Sequence, residues 1–189
     1  MTAAALNLLW HAGQARRENR LADARRDLLR AVDICRQAAV PGDLAFALKR
    51  LGQIERDLQN LDVARSYYEE AAAIYRQRGD ALSLAHTVRH VGDIHQDAGR
   101  WDLAEPCYDE ALRLYRSSKG TRRSDLANAV RSMAIQKEHT GDIERARLLW
   151  KEARDLYASL DGPLRRIFLR RPNPGVIESS EHLTRLARQ

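Results

Sequence analysis

His86, His90, Asp93 and Asp97 are the residues whose types and spacing come nearest to a chemical site. At 100° per residue on an α-helix they fall within an arc of about 60°. Two imidazoles four apart, followed by carboxylates, could ligate zinc or a similar ion. The same set on a groove wall would instead hydrogen-bond a partner, and that is the expectation; no metal is assigned. His95 falls on the face packed between helices, where a histidine is expected in the core with its hydrogen bonds met. Cys35 and Cys107 lie 72 residues apart with no CxxC spacing, so each is expected as a small buried hydrophobe in a reducing compartment. The sequence holds no GxSxG, HExxH, P-loop or dinucleotide signature, and none of its residues is assigned to catalysis or to a cofactor.

Helices must position these side chains. Apolar residues make up 44% of the 189 and aromatics only 6%, with the apolar share leaning on Ala and Leu, the best helix formers. An all-α chain is expected. The net charge of +6 is partly local, because Pro163 to Arg171 carries Arg165, Arg166, Arg170 and Arg171 with no acid. Elsewhere both signs interleave as on solvated helix faces. The N-terminal apolar run is too short to span a bilayer and no basic residue precedes it, which points to a soluble, cytoplasmic protein.

The helices repeat. Ala12, Gly52, Gly92 and Ala134 align; so do Ala24, Ala64, Ala104 and Ala146, and then Ala31, Ala71, Ala111 and Ala153. The offsets within each unit are 12 and 7, and the periods are 40, 40 and 42. Small residues at fixed offsets mark close helix crossings. Gly52 and Gly92 make the point best, since glycine inside a helix costs about 1 kcal/mol against alanine. Leu28, Tyr68, Tyr108 and Trp150 keep the same register, as do Cys35, Tyr75, Tyr115 and Tyr157. Asn19-Arg20, Gln59-Asn60, Gly99-Arg100 and Gly141-Asp142 stand at the turns, where Gly or Asn can adopt the left-handed conformation that ends a helix.

This pattern resembles the tetratricopeptide repeat (TPR), in the longer variety found in kinesin light chains and many bacterial TPR proteins. The likeness is closest from Gly99 to Arg116, GRWDLAEPCYDEALRLYR. The first repeat is degenerate, with His11 where Leu is usual, and the proline that often ends the shorter repeat is missing. The resemblance implies a right-handed α-α superhelix of four helical hairpins, about 4–40, 43–79, 81–118 and 124–160, forming one domain over 1–189. An Arg/Pro-rich insertion, 161–174, would precede a capping helix, 175–188. That cap would bury Leu183, Leu186 and Ala187 and present Glu178, Glu181, Arg185 and Arg188 outward.

The resemblance also places the first helix of each hairpin on the concave surface. There it implies a peptide-binding groove of Lys49, Gln53, Arg56, His86, Arg89, His90, Asp93, Asp97, Asn128 and Arg131. Lys49, Arg89 and Arg131 form a basic ladder suited to acidic side chains or a terminal carboxylate. Of the Lys, Asn, Asn, Lys, Arg set with which some TPR domains clamp a C-terminal carboxylate, only Lys49 is present, so a chaperone-type clamp is not expected. The expected function is non-catalytic binding of a protein or peptide segment. Two alternatives stand beside it: a regulatory sensor of a signal peptide, and binding of nucleic acid or an anionic surface through the Arg-rich insertion. Leu6, Leu9 and Trp10 are expected to be poorly covered, which makes a homodimer as compatible with the sequence as a monomer.

Overall fold

The computed structural model describes residues 2–160 and 172–188. Among them are nine helices and no strand: α1 (Ala3–Arg17), α2 (Leu21–Gln37), α3 (Pro41–Asp57), α4 (Leu61–Arg78), α5 (Ala81–Asp97), α6 (Trp101–Ser117), α7 (Arg123–His139), α8 (Ile143–Ala158) and α9 (Pro174–Leu186). Each helix packs on the next in sequence, and α9 packs on α8. The result is a right-handed TPR solenoid of four hairpins closed by a C-terminal helix. The arginines of the insertion lie outside the described residues.

Close approach explains the small residues. All ten alanines of the repeat pattern are fully buried. A Cβ on Gly52 would meet the Tyr68 ring at 3.0 Å, and one on Gly92 would meet the Tyr108 ring at 2.6 Å. The glycines therefore exist to admit the tyrosines of the paired helix. Ala12 and Ala134 stand at the corresponding places in the first and fourth hairpins, where Leu28 and Trp150 replace the tyrosine; both of those side chains are buried. Pro106 sits sixth in α6, and α6 runs through it.

The turns within the hairpins use a left-handed residue, with φ of 57° at Asn19, 65° at Gln59, 70° at Gly99 and 81° at Gly141. In the second hairpin the residue is Gln59 rather than Asn60. Asn60 instead donates its side-chain N–H to Glu55 Oε2 at 2.8 Å. Arg25 Nε donates to the other oxygen at 2.6 Å, so a fully buried carboxylate is satisfied on both sides.

Ion pairs tie successive hairpins together in each layer. In the outer layer Arg36 meets Glu70 at 2.9 Å, Arg76 meets Glu110 at 2.8 Å and Arg116 meets Glu152 at 2.9 Å. Every arginine is in the last turn of its helix and every glutamate is mid-helix on the next. At the two ends the register changes, with Arg30 in the glutamate's place on α2 and Ala158 in the arginine's place on α8. In the inner layer Arg16 pairs with Asp57 at 2.6 Å and Arg56 with Asp97 at 2.7 Å.

The cap differs from expectation. Leu186 is buried and Leu183 packs on the core, but Glu178 and Arg185 turn toward α7, meeting Arg131 and Glu138 at 2.5 Å each. Val176, which also packs on the core, lines a hollow of about 750 Å³ with the exposed Ile177, Glu181 and Arg188. Cys35 is buried and Cys107 half-buried, and both are free thiols. No helix among the described residues is long and apolar enough to cross a membrane.

Candidate functional site: the concave groove

The inner layer of α1, α3, α5 and α7 carries all ten residues expected to line the groove: Lys49, Gln53 and Arg56 on α3, His86, Arg89, His90, Asp93 and Asp97 on α5, and Asn128 and Arg131 on α7. Most of them hold one another. Asp93 is the hub, with only 8% of its surface exposed. Its Oδ2 accepts from Arg89 Nη1 at 2.7 Å and Arg56 Nη1 at 3.4 Å, and lies 3.2 Å from His90 Nδ1. Its Oδ1 accepts from Ser132 Oγ at 3.2 Å and lies 3.2 Å from the Tyr108 hydroxyl. Four helices thus converge on one carboxylate. Burial pushes its pKa up, but Arg89, His90 and Arg56 outweigh burial and hold it well below the usual carboxylate range.

The hydrogen bonds assign the histidine tautomers. With His90 Nδ1–H directed at Asp93, His90 Nε2 accepts from Arg89 Nη2 at 2.9 Å, and His86 Nε2 lies 3.2 Å from the same nitrogen. Burial lowers the pKa of each; His86, further depressed by His90, Lys49 and Arg89, falls to about 3. His86 is therefore neutral at pH 7. A guanidinium on the lone pair of His90 opposes a cation there, and among the described residues no group of three His, Cys, Asp or Glu side chains could hold a metal ion. His95 is buried on the packed face as expected, but its Nδ1 has no hydrogen-bond partner among the described residues.

The basic ladder is mostly occupied from within. Arg89 is committed to Asp93, and Arg131 is held by Glu178 of α9 through both carboxylate oxygens. Asn128 accepts from the Tyr157 hydroxyl at 2.7 Å. Gln53 donates to Asp57 at 2.9 Å and accepts from the Tyr68 hydroxyl at 3.3 Å. Lys49 alone of the three has no carboxylate within ion-pair distance among the described residues.

A model of the tetratricopeptide repeat family matches residues 1–77 and 82–159. The chain belongs to the tetratricopeptide repeat family. Solved structures agree on the fold. BtubC (BKLC) from P. vanneervenii is 17% identical, with a TM-score of 0.73 over 97% of this chain and 82% of that one. Nearly identical TPR-like repeats from a putative kinesin light chain of Podosopora anserina are 12% identical, with a TM-score of 0.76 over 100% of this chain and 88% of theirs. At such identities the likeness establishes the fold alone. No curated protein matches the chain.

Further features of this TPR chain lie outside the expected groove set. Arg50, beside Lys49, is half-buried and likewise has no ion pair among the described residues. Lys49 Nζ sits 5.1 Å and Arg50 Cζ 6.0 Å from the centroid of the Phe46 ring. Tyr68 and Arg16 join both cations around a cavity of about 210 Å³ that Gln53, His86 and His90 also line. Finally, Leu6 and Trp10 are 51% and 61% exposed at the N-terminal end, whereas Leu9, expected to be uncovered with them, is buried. The exposure of Leu6 and Trp10 was expected from the sequence, and the sign for Arg50 was its place one residue beyond Lys49 in the ladder.

Proposed function

We propose that this TPR protein is a non-catalytic scaffold that holds a peptide or protein segment of acidic character in its concave groove. TPR folds commonly serve as protein-interaction scaffolds. The observation that carries the acidic character is the pair Lys49 and Arg50. They are the half-buried cations with no carboxylate in ion-pair range among the described residues, while Arg56, Arg89, Arg131 and Lys137 all have one. Partly desolvated cations without a counterion are costly in the free protein, and a bound carboxylate relieves that cost. A pre-formed helical wall also spares part of the ordering cost of binding.

Affinity capture from the native cell tests this with Lys49→Glu/Arg50→Glu beside wild type and an Arg113→Glu control on exposed α6 surface. Wild type and the control should retain the same partner and the double variant should lose it. A partner retained by Lys49→Glu/Arg50→Glu overturns the reading. Arg89→Ala and Arg131→Ala are unsuitable reporters, because both remove internal ion pairs and so perturb the fold.

A further inference from the structure

The cavity next to Lys49 and Arg50 has a charge balance that narrows the kind of acid it takes. Arg16 on its rim is neutralised by Asp57 at 2.6 Å, and Gln53 also donates to Asp57. His86 adds no charge at pH 7, and His90 is turned to Asp93 at 3.2 Å. Asp80 and Asp125 act on Lys49 only from beyond ion-pair range; Asp80 caps the Ser83 N–H at 3.0 Å and Asp125 is paired with Arg122 at 2.8 Å. Among the described residues two positive charges therefore remain without a local counterion. The Phe46 ring lies near both, at 5.1 Å from Lys49 Nζ and 6.0 Å from Arg50 Cζ, an attraction of modest strength. Burial lowers the pKa of both cations, with Arg50 acting further on Lys49, and Arg16 and Arg17 on Arg50.

A single carboxylate would neutralise one of the two cations. A phosphomonoester carries about −1.5 to −2 at neutral pH and offers three strong acceptor oxygens. An arginine fork beside a lysine point charge suits that group. The cavity, about 210 Å³ against about 30 Å³ per water, has room for a phosphoryl group and the first carbons that carry it. Resting on the reading above that Lys49 and Arg50 face the partner, we infer that the cavity bounded by Lys49, Arg50, Arg16 and His86 is a phosphomonoester site that takes a phosphorylated side chain of the bound segment.

The site is tested on the full chain by titrating N-acetyl-phosphoserine methylamide, the matched aspartate compound and inorganic phosphate, followed by NMR. At pH 7.5 the phosphoserine compound should bind at least about tenfold tighter than the aspartate one. Its affinity should fall as the pH drops through about 6, where the dianion takes up a proton. The His86 titration should move to higher pH in the complex, because the anion offsets Lys49. Lys49→Met or Arg50→Met, each shown by thermal melting to fold, should reduce phosphoserine affinity to the aspartate level. Equal affinity for the two compounds overturns the phosphate assignment while leaving the acidic-segment reading intact. Absence of binding by either, or binding indifferent to both variants, overturns the two together. Inorganic phosphate binding as tightly as the phosphoserine compound would assign the cavity to a free anion and overturn its attachment to the partner.

Discussion

Replacing Asp93 by Asn tests whether one carboxylate holds the centre of the groove. The amide keeps the shape and can keep its contacts, with Oδ1 toward Arg89 and the amide N–H groups toward the Ser132 and Tyr108 oxygens. What it loses is the charge facing Arg89, whose side chain is 12% exposed. Breaking a buried ion pair from one side costs about 3–5 kcal/mol. Here the loss is reduced, because Arg56 keeps Asp97 at 2.7 Å and Arg89 keeps His90 at 2.9 Å, so about 2–4 kcal/mol is expected. With a urea slope of about 1–3 kcal/mol per M, the midpoint followed by circular dichroism at pH 7 should drop by about 1–2 M. Asp97→Asn, at a side chain 38% exposed, should shift it by no more than about 0.3 M. The pH dependence has a defined sign. The folded pKa of Asp93 is depressed, so its contribution is present above the unfolded value of about 3.9 and is lost as the pH falls below it. The gap between wild type and Asp93→Asn should therefore narrow in acid. Equal midpoint shifts for Asp93→Asn and Asp97→Asn, or a gap that widens below pH 4, would refute the assignment of Asp93 as the hub.

Gly92→Ala gains about 1 kcal/mol of helix propensity, but its Cβ would lie 2.6 Å from the Tyr108 ring, and overpacking costs about 1–3 kcal/mol. Thermal melting should show Gly92→Ala to be the less stable beside Gly52→Ala, whose nearest contact is 3.0 Å; the reverse order would contradict the packing account. His86 takes up a proton near pH 6.5 when unfolded but only at about 3 when folded. Stability should thus fall as the pH drops through that window, and less so in His86→Gln; an equal drop in urea midpoint between pH 7 and pH 4.5 for wild type and His86→Gln would contradict it.

The fold was legible because its signals are local and repeated. Gly52 and Gly92 break the helix-propensity rule at matching places, and the Tyr68 and Tyr108 rings supply the reason. The turn residue of the second hairpin was misplaced by one because sequence preference favours Asn60, whereas the helix ends at Asp57 and sets the left-handed position at Gln59 whatever its type. That the ten residues expected in the groove fall on α3, α5 and α7 was legible too, but their internal ion pairs were not. Arg131 reads as a free cation until α9 brings Glu178, 47 residues away, against it. Glu178 and Arg185 read as outer-face charges because helical spacing does not reveal how the cap is rotated against α7. Leu9 and Trp10 are neighbours in sequence, yet one is in the core and the other is exposed, because successive residues point about 100° apart on a helix and the spacing alone does not say which of the two faces α2.

Part of the charge state could nevertheless have been read locally. Residues four apart on a helix meet, and the residue four beyond each ladder cation differs along the solenoid: Gln53 after Lys49, Asp93 after Arg89, Ile135 after Arg131. Asp93 captures Arg89 at 2.7 Å. Gln53 has no charge to offer Lys49 and turns to Asp57, which already holds Arg16. Arg131 finds no acid within its own helix and is satisfied only by the cap. Seen this way, the single change from Asp at 93 to Gln at 53 leaves the second hairpin with a free lysine, while the third spends its arginine on internal cohesion. Restoring the acid with Gln53→Glu should therefore weaken anion binding at Lys49 and Arg50 while leaving the Asp93 cluster in place, with a modest fall in melting temperature because Asp57 loses the Gln53 amide donor. A variant that kept full affinity for an anionic probe would show that the missing carboxylate is not what leaves this end of the groove open.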